Sequence, residues 1–184
     1  MSELISTHCD PTEALAEFCE PFLPGVDVLA GVRAVDGRSM SDAFRRLLVH
    51  NDHMTTTLRA YYGAPVALEV REAQLDGEAY RRRIVLRLAD GGRIVEVGFV
   101  RIRLGYASKN VRERILERRT PLGDILIQAD VLRRIEPRWF FEIDQHSPLL
   151  KDFDDPSLLR AFGRLGTIFC EDQPAIELLE IVRA

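Results

Sequence analysis

Hydrophobic residues recur at helical spacing near the start of the chain. Leu15 and Phe18 would share one face, which predicts a helix over residues 10–22. Prolines and glycines recur through residues 21–38, so this stretch is predicted to be irregular. Helical spacing returns over residues 41–63, where an Asn-Asp pair divides two predicted helices.

From residue 65 onward the spacing of apolar residues changes to two, which is typical of strands. An Ala-Asp-Gly-Gly sequence at residues 89–92 predicts a hairpin turn between two long strands. The predicted order is strands near 66–70, 80–88 and 93–104, helices over 108–119 and 124–134, a strand over 138–143, a loop with one helical turn over 147–165, and strands over 166–170 and 175–182.

This order separates helices from strands along the chain. Such a separation is typical of an α+β fold in which helices flank an antiparallel β-sheet, and it is unlike alternating β-α-β units. The chain has 184 residues without a repeat or linker, so a single domain over residues 1–184 is predicted.

The composition argues against several classes of protein. Lys and Arg number 25 against 29 Asp and Glu, and the net charge of −4 argues against nucleic acid as a partner. No apolar run is long enough for a membrane span. The three cysteines form no Cys-x-x-Cys pair and the N-terminus lacks the pattern of a signal peptide, which together favour a cytoplasmic protein.

Common catalytic and nucleotide-binding motifs are absent from the sequence. His50, Asp52 and His53 could together hold a zinc ion, but no further cysteine or histidine lies at a suitable spacing. Capping of a helix end is the favoured interpretation, and neither a metal nor a cofactor is predicted. Cys170 lies in a predicted apolar strand and is interpreted as a core residue rather than a nucleophile.

A run of arginines occupies the predicted strand over residues 80–88. Alternation places Arg81 and Arg83 on one face and Arg82 on the other, so at least one guanidinium points inward if a face is covered. A buried guanidinium needs an anion from the protein or from a ligand. A solvated strand edge is the alternative.

Two glutamates lie in the last predicted strand. Glu177 and Glu180 point to opposite faces, so one of them is expected to face the core unless a bulge intervenes. A carboxyl group in an apolar site tends to stay protonated and can act as an acid. A partly solvated strand end is again the alternative. Together with the arginine run, this pattern suggests a pocket for a small carboxylate.

Several short motifs, taken in order, resemble those of the chorismate pyruvate-lyase family. They are His-Asn-Asp-His-Met-Thr-Thr from His50, Arg-Ile-Val-Leu-Arg-Leu-Ala-Asp-Gly from Arg83, Thr-Pro-Leu-Gly from Thr120, and Gly163-Arg164 through Gln-Pro to Glu180. The resemblance extends from about residue 47 to the C-terminus. It implies an antiparallel sheet flanked by helices around an enclosed pocket, and elimination of pyruvate from chorismate to give 4-hydroxybenzoate, or a closely related hydroxybenzoate, without metal or cofactor.

The resemblance also implies roles for individual residues. Arg83 would grip the ring carboxylate, because a buried carboxylate requires a permanently charged, bidentate partner. Glu180 would meet the oxygen at the opposite end and donate a proton as the enolpyruvyl group leaves. The backbone of Leu122 would contact the product, and Met54 would line the pocket. Arg83 and Glu180 are thus the expected catalytic residues and are expected to face one closed cavity.

The position of Glu180 departs from the family pattern. Counted from Pro174, Glu180 lies one residue late, so a bulge is needed to turn it inward. Without a bulge, Leu179 would face the pocket, or Glu177 would take part instead.

Two further departures concern the rim of the expected pocket. His53 precedes Met54 where the family favours a small residue, and residues 142–162 match poorly and form either a lid or a surface excursion. These departures leave open a related aryl or enolpyruvyl substrate. They also leave open a non-catalytic protein that binds a small aromatic carboxylate, since the same fold serves as the effector domain of some bacterial transcription regulators. Such a binder needs Arg83 but can do without Glu180.

Overall fold

The computed structural model describes residues 10–89 and 92–184. Seven strands form one sheet in the order β1-β5-β6-β7-β4-β3-β2, and all neighbouring pairs are antiparallel. The strands are β1 Val32–Val35, β2 Val66–Asp76, β3 Ala79–Leu88, β4 Ile94–Arg103, β5 Arg133–Asp144, β6 Arg160–Cys170 and β7 Gln173–Val182. The α-helices are α1 Pro11–Cys19, α2 Asp42–Leu48, α3 Met54–Tyr62, α4 Lys109–Leu116 and α5 Leu122–Gln128, and short 3₁₀ helices span Gly37–Ser39, Leu104–Tyr106 and Pro148–Phe153.

Both faces of the sheet are covered, and successive side chains alternate between them. In β7, Leu178 and Val182 pack with residues of α2, α3, α4 and α5 on what we call the pocket face. Leu179 and Ile181 point the other way and pack with α1 and the 3₁₀ helix Pro148–Phe153, on the α1 face. Because side chains alternate along a strand, the position of a charged residue in its strand also determines which face of the sheet its side chain occupies.

The observed class confirms the predicted α+β fold with an antiparallel sheet. The prediction of an irregular stretch over residues 21–38 is wrong in part, because β1 lies within it and pairs with the distant end of β5. The predicted helix over residues 124–134 is too long, since α5 ends at Gln128 and β5 begins at Arg133. These errors share a cause: hydrogen bonds to strands far away in sequence decide where each element ends.

Most of residues 142–162 packs on the α1 face rather than over the pocket, although Phe162 at its end packs with Phe44 of α2 on the pocket face. Leu149, Leu150 and Phe153 of this segment are buried in the cluster beneath α1, and Asp152 forms an ion pair with Arg83. The segment also includes the first residues of β6, which was predicted to begin at residue 166. The lid interpretation is therefore wrong, because the segment packs on the opposite side of the sheet.

Some expectations fall on residues 1–9 and 90–91, which lie outside the described residues. They include the N-terminal segment with Cys9 and the centre of the predicted turn over residues 89–92. Within the described residues, no helix combines the length and the apolar character needed to cross a membrane.

A proline and a glycine face each other where β5 and β6 come closest. Pro137 lies inside β5, and the pairing with β6 shifts between Pro137 and Trp139, which is the bulge that an interior proline requires. Gly166 pairs with Pro137. A Cβ atom on Gly166 would lie 2.6 Å from the carbonyl oxygen of Glu136, so only glycine fits here without a backbone shift.

We expect Gly166→Ala to lower the free energy of unfolding by about 1–3 kcal/mol, the usual result of overpacking. Urea denaturation measures the change. Gly105→Ala is the control, because its Cβ would meet the carboxylate of Glu78, a flexible side chain that can rotate away. Equal effects of the two substitutions would contradict the close approach at Gly166.

Candidate functional site

A small cavity lies on the pocket face, between the sheet and the first residues of α3 and α5. Its volume is about 50 Å³, well below the roughly 300–1,000 Å³ of typical sites for drug-sized ligands. Most of its lining is apolar, with a few charged groups. The lining residues are His53, Met54, Thr55, Leu68, Arg82, Ile84, Leu86, Glu96, Val100, Pro121, Leu122, Gly123, Ile168, Leu178 and Glu180.

The structure brings three of the four predicted site residues together here. Met54, Leu122 and Glu180 all line the cavity. Arg83 does not line it, and the expectation that Arg83 and Glu180 face one cavity is wrong. Arg83 points to the α1 face, where its guanidinium lies 3.2 Å from Asp152 and 3.4 Å from Glu72. The predicted alternation is confirmed, but it is Arg82 that faces inward.

Arg82 takes the place that the sequence analysis gave to Arg83. Its side chain is 2% exposed, and its Nε and Nη1 atoms have no hydrogen-bond partner among the described residues. Burial lowers the pKa of Arg82 from its ordinary value, and the adjacent Tyr80 opposes this effect. The buried Tyr80 hydroxyl likewise has no hydrogen-bond partner in the described part of the chain. A buried guanidinium without an acceptor is costly, and an anionic ligand would satisfy it.

The sequence signal for Arg82 was present but ambiguous. A run of three arginines guarantees that one points inward, and the alignment of motifs selected Arg83 for that role. The pairing of β3 with β4 decides otherwise: Arg82 lies opposite Val100, a residue of the pocket face, and Arg83 lies opposite Phe99. The register of a strand cannot be read from the strand alone.

Glu180 faces the cavity because a β-bulge precedes it in β7, as the spacing between Pro174 and Glu180 required. In the pairing of β6 with β7, Ile168 faces Ile176 while Phe169 faces Pro174, so Ala175 is the extra residue. From Ile176 to Val182 the pairing of β7 with β4 is regular. The bulge lies immediately after Pro174, and it absorbs the one-residue excess that the sequence showed.

Glu177 points to the α1 face and does not line the cavity. One of its carboxylate oxygens lies 2.6 Å from Nε of Arg101, whose guanidinium in turn lies over the ring of Phe18. The alternative in which Glu177 replaces Glu180 in the site is therefore wrong.

Glu180 is held by a second buried arginine, Arg164. Nε of Arg164 donates to Glu180 at 2.6 Å. The other end of the same guanidinium donates to the backbone carbonyls of Leu48, His50 and Asp52. This network fixes the chain between α2 and α3, and it pairs the Glu180 carboxylate with a permanent positive charge.

Glu96 is a third buried charged side chain of the cavity, and the sequence analysis missed it. Its Oε2 atom has no hydrogen-bond partner among the described residues. Glu96 and Glu180 are diagonal neighbours across β4 and β7, so their Cα atoms lie roughly 7–8 Å apart. Burial first, and then the Glu180 carboxylate, raise the pKa of Glu96 well above its ordinary value, while Arg164 opposes the rise. The pattern Val-Glu-Val in an apolar strand was the available signal.

His53 separates the cavity from an open groove on the surface. It lines both the cavity and a groove of about 780 Å³ that also includes Leu132 and Arg133. Its Nε2 accepts a hydrogen bond of 2.7 Å from Nε of Arg133. Burial, and then the charges of Arg133 and Arg164, lower the pKa of His53 to about 4. A Cβ atom on Gly123 would lie 2.9 Å from Cβ of His53. Any larger residue at position 123 would therefore push the His53 side chain out of its place.

The histidine motif is occupied by protein contacts. His50 donates from Nε2 to the Leu47 carbonyl, and its Nδ1 accepts from the backbone N–H of Asp52. Among the described residues no group of three His, Cys, Asp or Glu side chains is placed to hold a metal ion. Cys170 is buried beneath α4 and α5, and burial raises the pKa of its thiol to about 11, as suits a core residue.

We expect Glu96→Gln to stabilise the protein increasingly as the pH rises. The folded protein keeps a proton on Glu96 that the unfolded chain releases above its ordinary pKa of 4.5, so the wild type loses stability with rising pH and the variant does not. Thermal unfolding at about pH 5 and about pH 8 measures the difference, near 1.4 kcal/mol for each unit by which the pKa is raised. Glu113→Gln, at an exposed carboxylate, is the control. A pH-independent difference would contradict a neutral Glu96.

The fold is similar to that of PhnF from Mycobacterium smegmatis, with 12% sequence identity and a TM-score of 0.52 over 94% of this chain and 79% of that one. A PhnF C-terminal domain is similar at 12% identity and a TM-score of 0.47, over 67% of this chain and 86% of that domain. The sequence matches no protein-family model and no curated protein. At this identity the likeness concerns the fold alone, and the chain has a chorismate lyase-like fold.

Proposed function

We propose that this protein binds a small aromatic carboxylate, of the size of a hydroxybenzoate, in the cavity lined by Arg82. The observation that carries this proposal is the buried Arg82 guanidinium, two of whose nitrogens have no partner among the described residues. Carboxylates are the natural partners of a fixed planar guanidinium. The surrounding aliphatic side chains suit the faces of a single aromatic ring.

The charges of the lining restrict the ligand to one negative charge. Arg164 is neutralised by Glu180, His53 is neutral because its pKa is about 4, and Glu96 is kept neutral by burial. Arg82 is then the one uncompensated charge of the described lining. A second carboxylate on the ligand would stay unpaired in a medium of low dielectric constant.

The cavity has a guanidinium at one place and carboxyl groups at another, so it suits a ligand whose two ends differ chemically. Arg82 lies opposite Val100 on β4, whereas Glu96 lies four residues further along the same strand, roughly 13 Å away at the backbone. Both side chains line the cavity. A carboxylate on Arg82 therefore places the opposite substituent next to Glu96 and Glu180.

The lyase reaction is the second candidate function. In it the ether bond of chorismate breaks, the ring loses a proton and becomes aromatic, and the departing enolpyruvyl group takes up a proton. The Glu180 carboxylate pairs with Nε of Arg164 at 2.6 Å, and as the partner of a permanent cation it is placed to accept the ring proton. The single uncompensated charge of the lining favours the monoanionic product over the dianionic substrate.

We expect Arg82→Met to weaken the binding of 4-hydroxybenzoate roughly 10- to 150-fold, as the loss of charged hydrogen bonds implies. Titration calorimetry measures the dissociation constants. Arg83→Met is the matched control, since it removes the same group one residue away on the opposite face, and it should bind as the wild type does. If the wild type does not bind, or if both variants bind equally, the cavity is not a carboxylate site.

Pyruvate release distinguishes the two candidate functions. If the protein is a lyase, purified protein with chorismate releases pyruvate and 4-hydroxybenzoate in equal amounts, and Arg82→Met lowers the rate while Arg83→Met does not. A coupled pyruvate assay and chromatography of the aromatic product measure both. Tight binding of 4-hydroxybenzoate without pyruvate would establish the binding function and exclude the lyase.

A further inference from the structure

Glu96 is unusual among the charged residues of this sheet. Arg164 with Glu180 and Arg101 with Glu177 form buried or half-buried ion pairs, and Arg83 lies close to Asp152. Glu96 has no such counter-ion within salt-bridge distance in the described part of the chain, although it is only 3% exposed. A buried carboxyl group normally has a partner that offsets the free-energy cost of its burial, and Glu96 lacks such a partner among the described residues.

The groups that face Glu96 determine its protonation. Glu180 on β7 is a neighbouring carboxyl group that is paired with Arg164 on β6, and Arg164 gives its Nε to Glu180 and its other nitrogens to backbone carbonyls. Arg82 and His53 lie elsewhere in the lining, where His53 is uncharged. Two carboxylates close together in an apolar cavity cannot both ionise at neutral pH, and the one without an ion pair keeps the proton.

We propose that Glu96 is a neutral carboxylic acid whose O–H donates a hydrogen bond to an uncharged oxygen of the ligand, and that it thereby determines specificity. This inference rests on the proposed function and adds the chemistry of the far end of the ligand. The preferred ligand is a monocarboxylate with an acceptor oxygen, such as a phenolic hydroxyl, at the para position. In the lyase candidate, the same proton is positioned at the end of the cavity where the leaving group departs.

The position of Glu96 in β4 supports this role over a purely structural one. A structural acid would be expected to use both carboxyl oxygens, yet Oε2 has no partner among the described residues while the residue lines the cavity. Its neighbour on β4 towards Arg82 is Gly98, which faces Glu180, and the side chain of Ile84 occupies the space beside this glycine. Because Glu96 itself lines the cavity, a ligand oxygen can approach it there.

The test compares two ligands that differ at one substituent, a hydroxyl group that both accepts and donates hydrogen bonds in one and a fluorine atom in the other. 4-Hydroxybenzoate and 4-fluorobenzoate are similar in size, but fluorine is a poor acceptor. Titration calorimetry with the wild type should show a preference for the hydroxyl compound of roughly threefold to tenfold, the equivalent of one hydrogen bond. Glu96→Leu should reduce the preference to what donation by the ligand hydroxyl alone contributes, and Glu96→Gln, whose amide donates, should restore most of the loss.

An infrared measurement makes the test independent of how the leucine variant folds. The wild type should show the carbonyl band of a protonated carboxylic acid that Glu96→Gln lacks, and 4-hydroxybenzoate should shift this band while 4-fluorobenzoate should not. Absence of the band, a band that neither ligand shifts, or a preference that Glu96→Leu leaves unchanged would overturn the inference. If neither compound binds the wild type, it is the proposed function that fails, and the inference falls with it.

Discussion

The pocket face is organised around the buried guanidinium of Arg164. A buried ion pair is stable only when hydrogen bonds satisfy the remaining donors, and here Glu180 and three backbone carbonyls do so. These contacts join β6 to β7 and to the chain that enters α3. Because His53 and Met54 follow directly after that chain, the cavity depends on this one side chain for one of its walls.

Arg82 shows how the same residue type can serve a different purpose on the same face. Arg164 is 1% exposed and Arg82 is 2% exposed, so both have lost nearly all contact with water. Arg164 is surrounded by acceptors, whereas two nitrogens of Arg82 have none within the described residues. The first arrangement holds the fold together, and the second leaves an unsatisfied charge in a cavity, which is the arrangement expected of an anion-binding site. Hence it is Arg82, and neither Arg164 nor Arg83, on which the proposed function depends.

The three carboxyl groups of β4 and β7 are distinguished by their surroundings rather than by their chemistry. Glu177 pairs with Arg101 on the α1 face, and Glu180 pairs with Arg164 on the pocket face. Glu96 lies near Glu180 with its own charge uncompensated, so burial favours its protonated form. The result is one ion-paired and one unpaired carboxyl group in the same cavity as the Arg82 guanidinium. Such an asymmetric arrangement can orient a ligand whose two ends differ.

The sequence by itself determined the fold class and the need for a bulge before Glu180. The change of apolar spacing from helical to alternating predicted an α+β fold with an antiparallel sheet, and the spacing from Pro174 to Glu180 required the bulge that lies at Ala175. These signals are local, since period and spacing are properties of short segments. Met54, Leu122 and Glu180 line one cavity, as the resemblance of short motifs to the chorismate pyruvate-lyase family implied.

Only the tertiary structure decided which arginine of the run faces the cavity, that Glu96 shares it, and that most of residues 142–162 packs on the other face. Each of these facts depends on the pairing of strands distant in sequence, and a shift of one residue in that pairing would exchange Arg82 for Arg83. Burial acts in the same way: the sequence names a glutamate, but its environment decides whether it carries a charge. The sequence therefore supplies the residue types, and the fold determines their protonation and their partners.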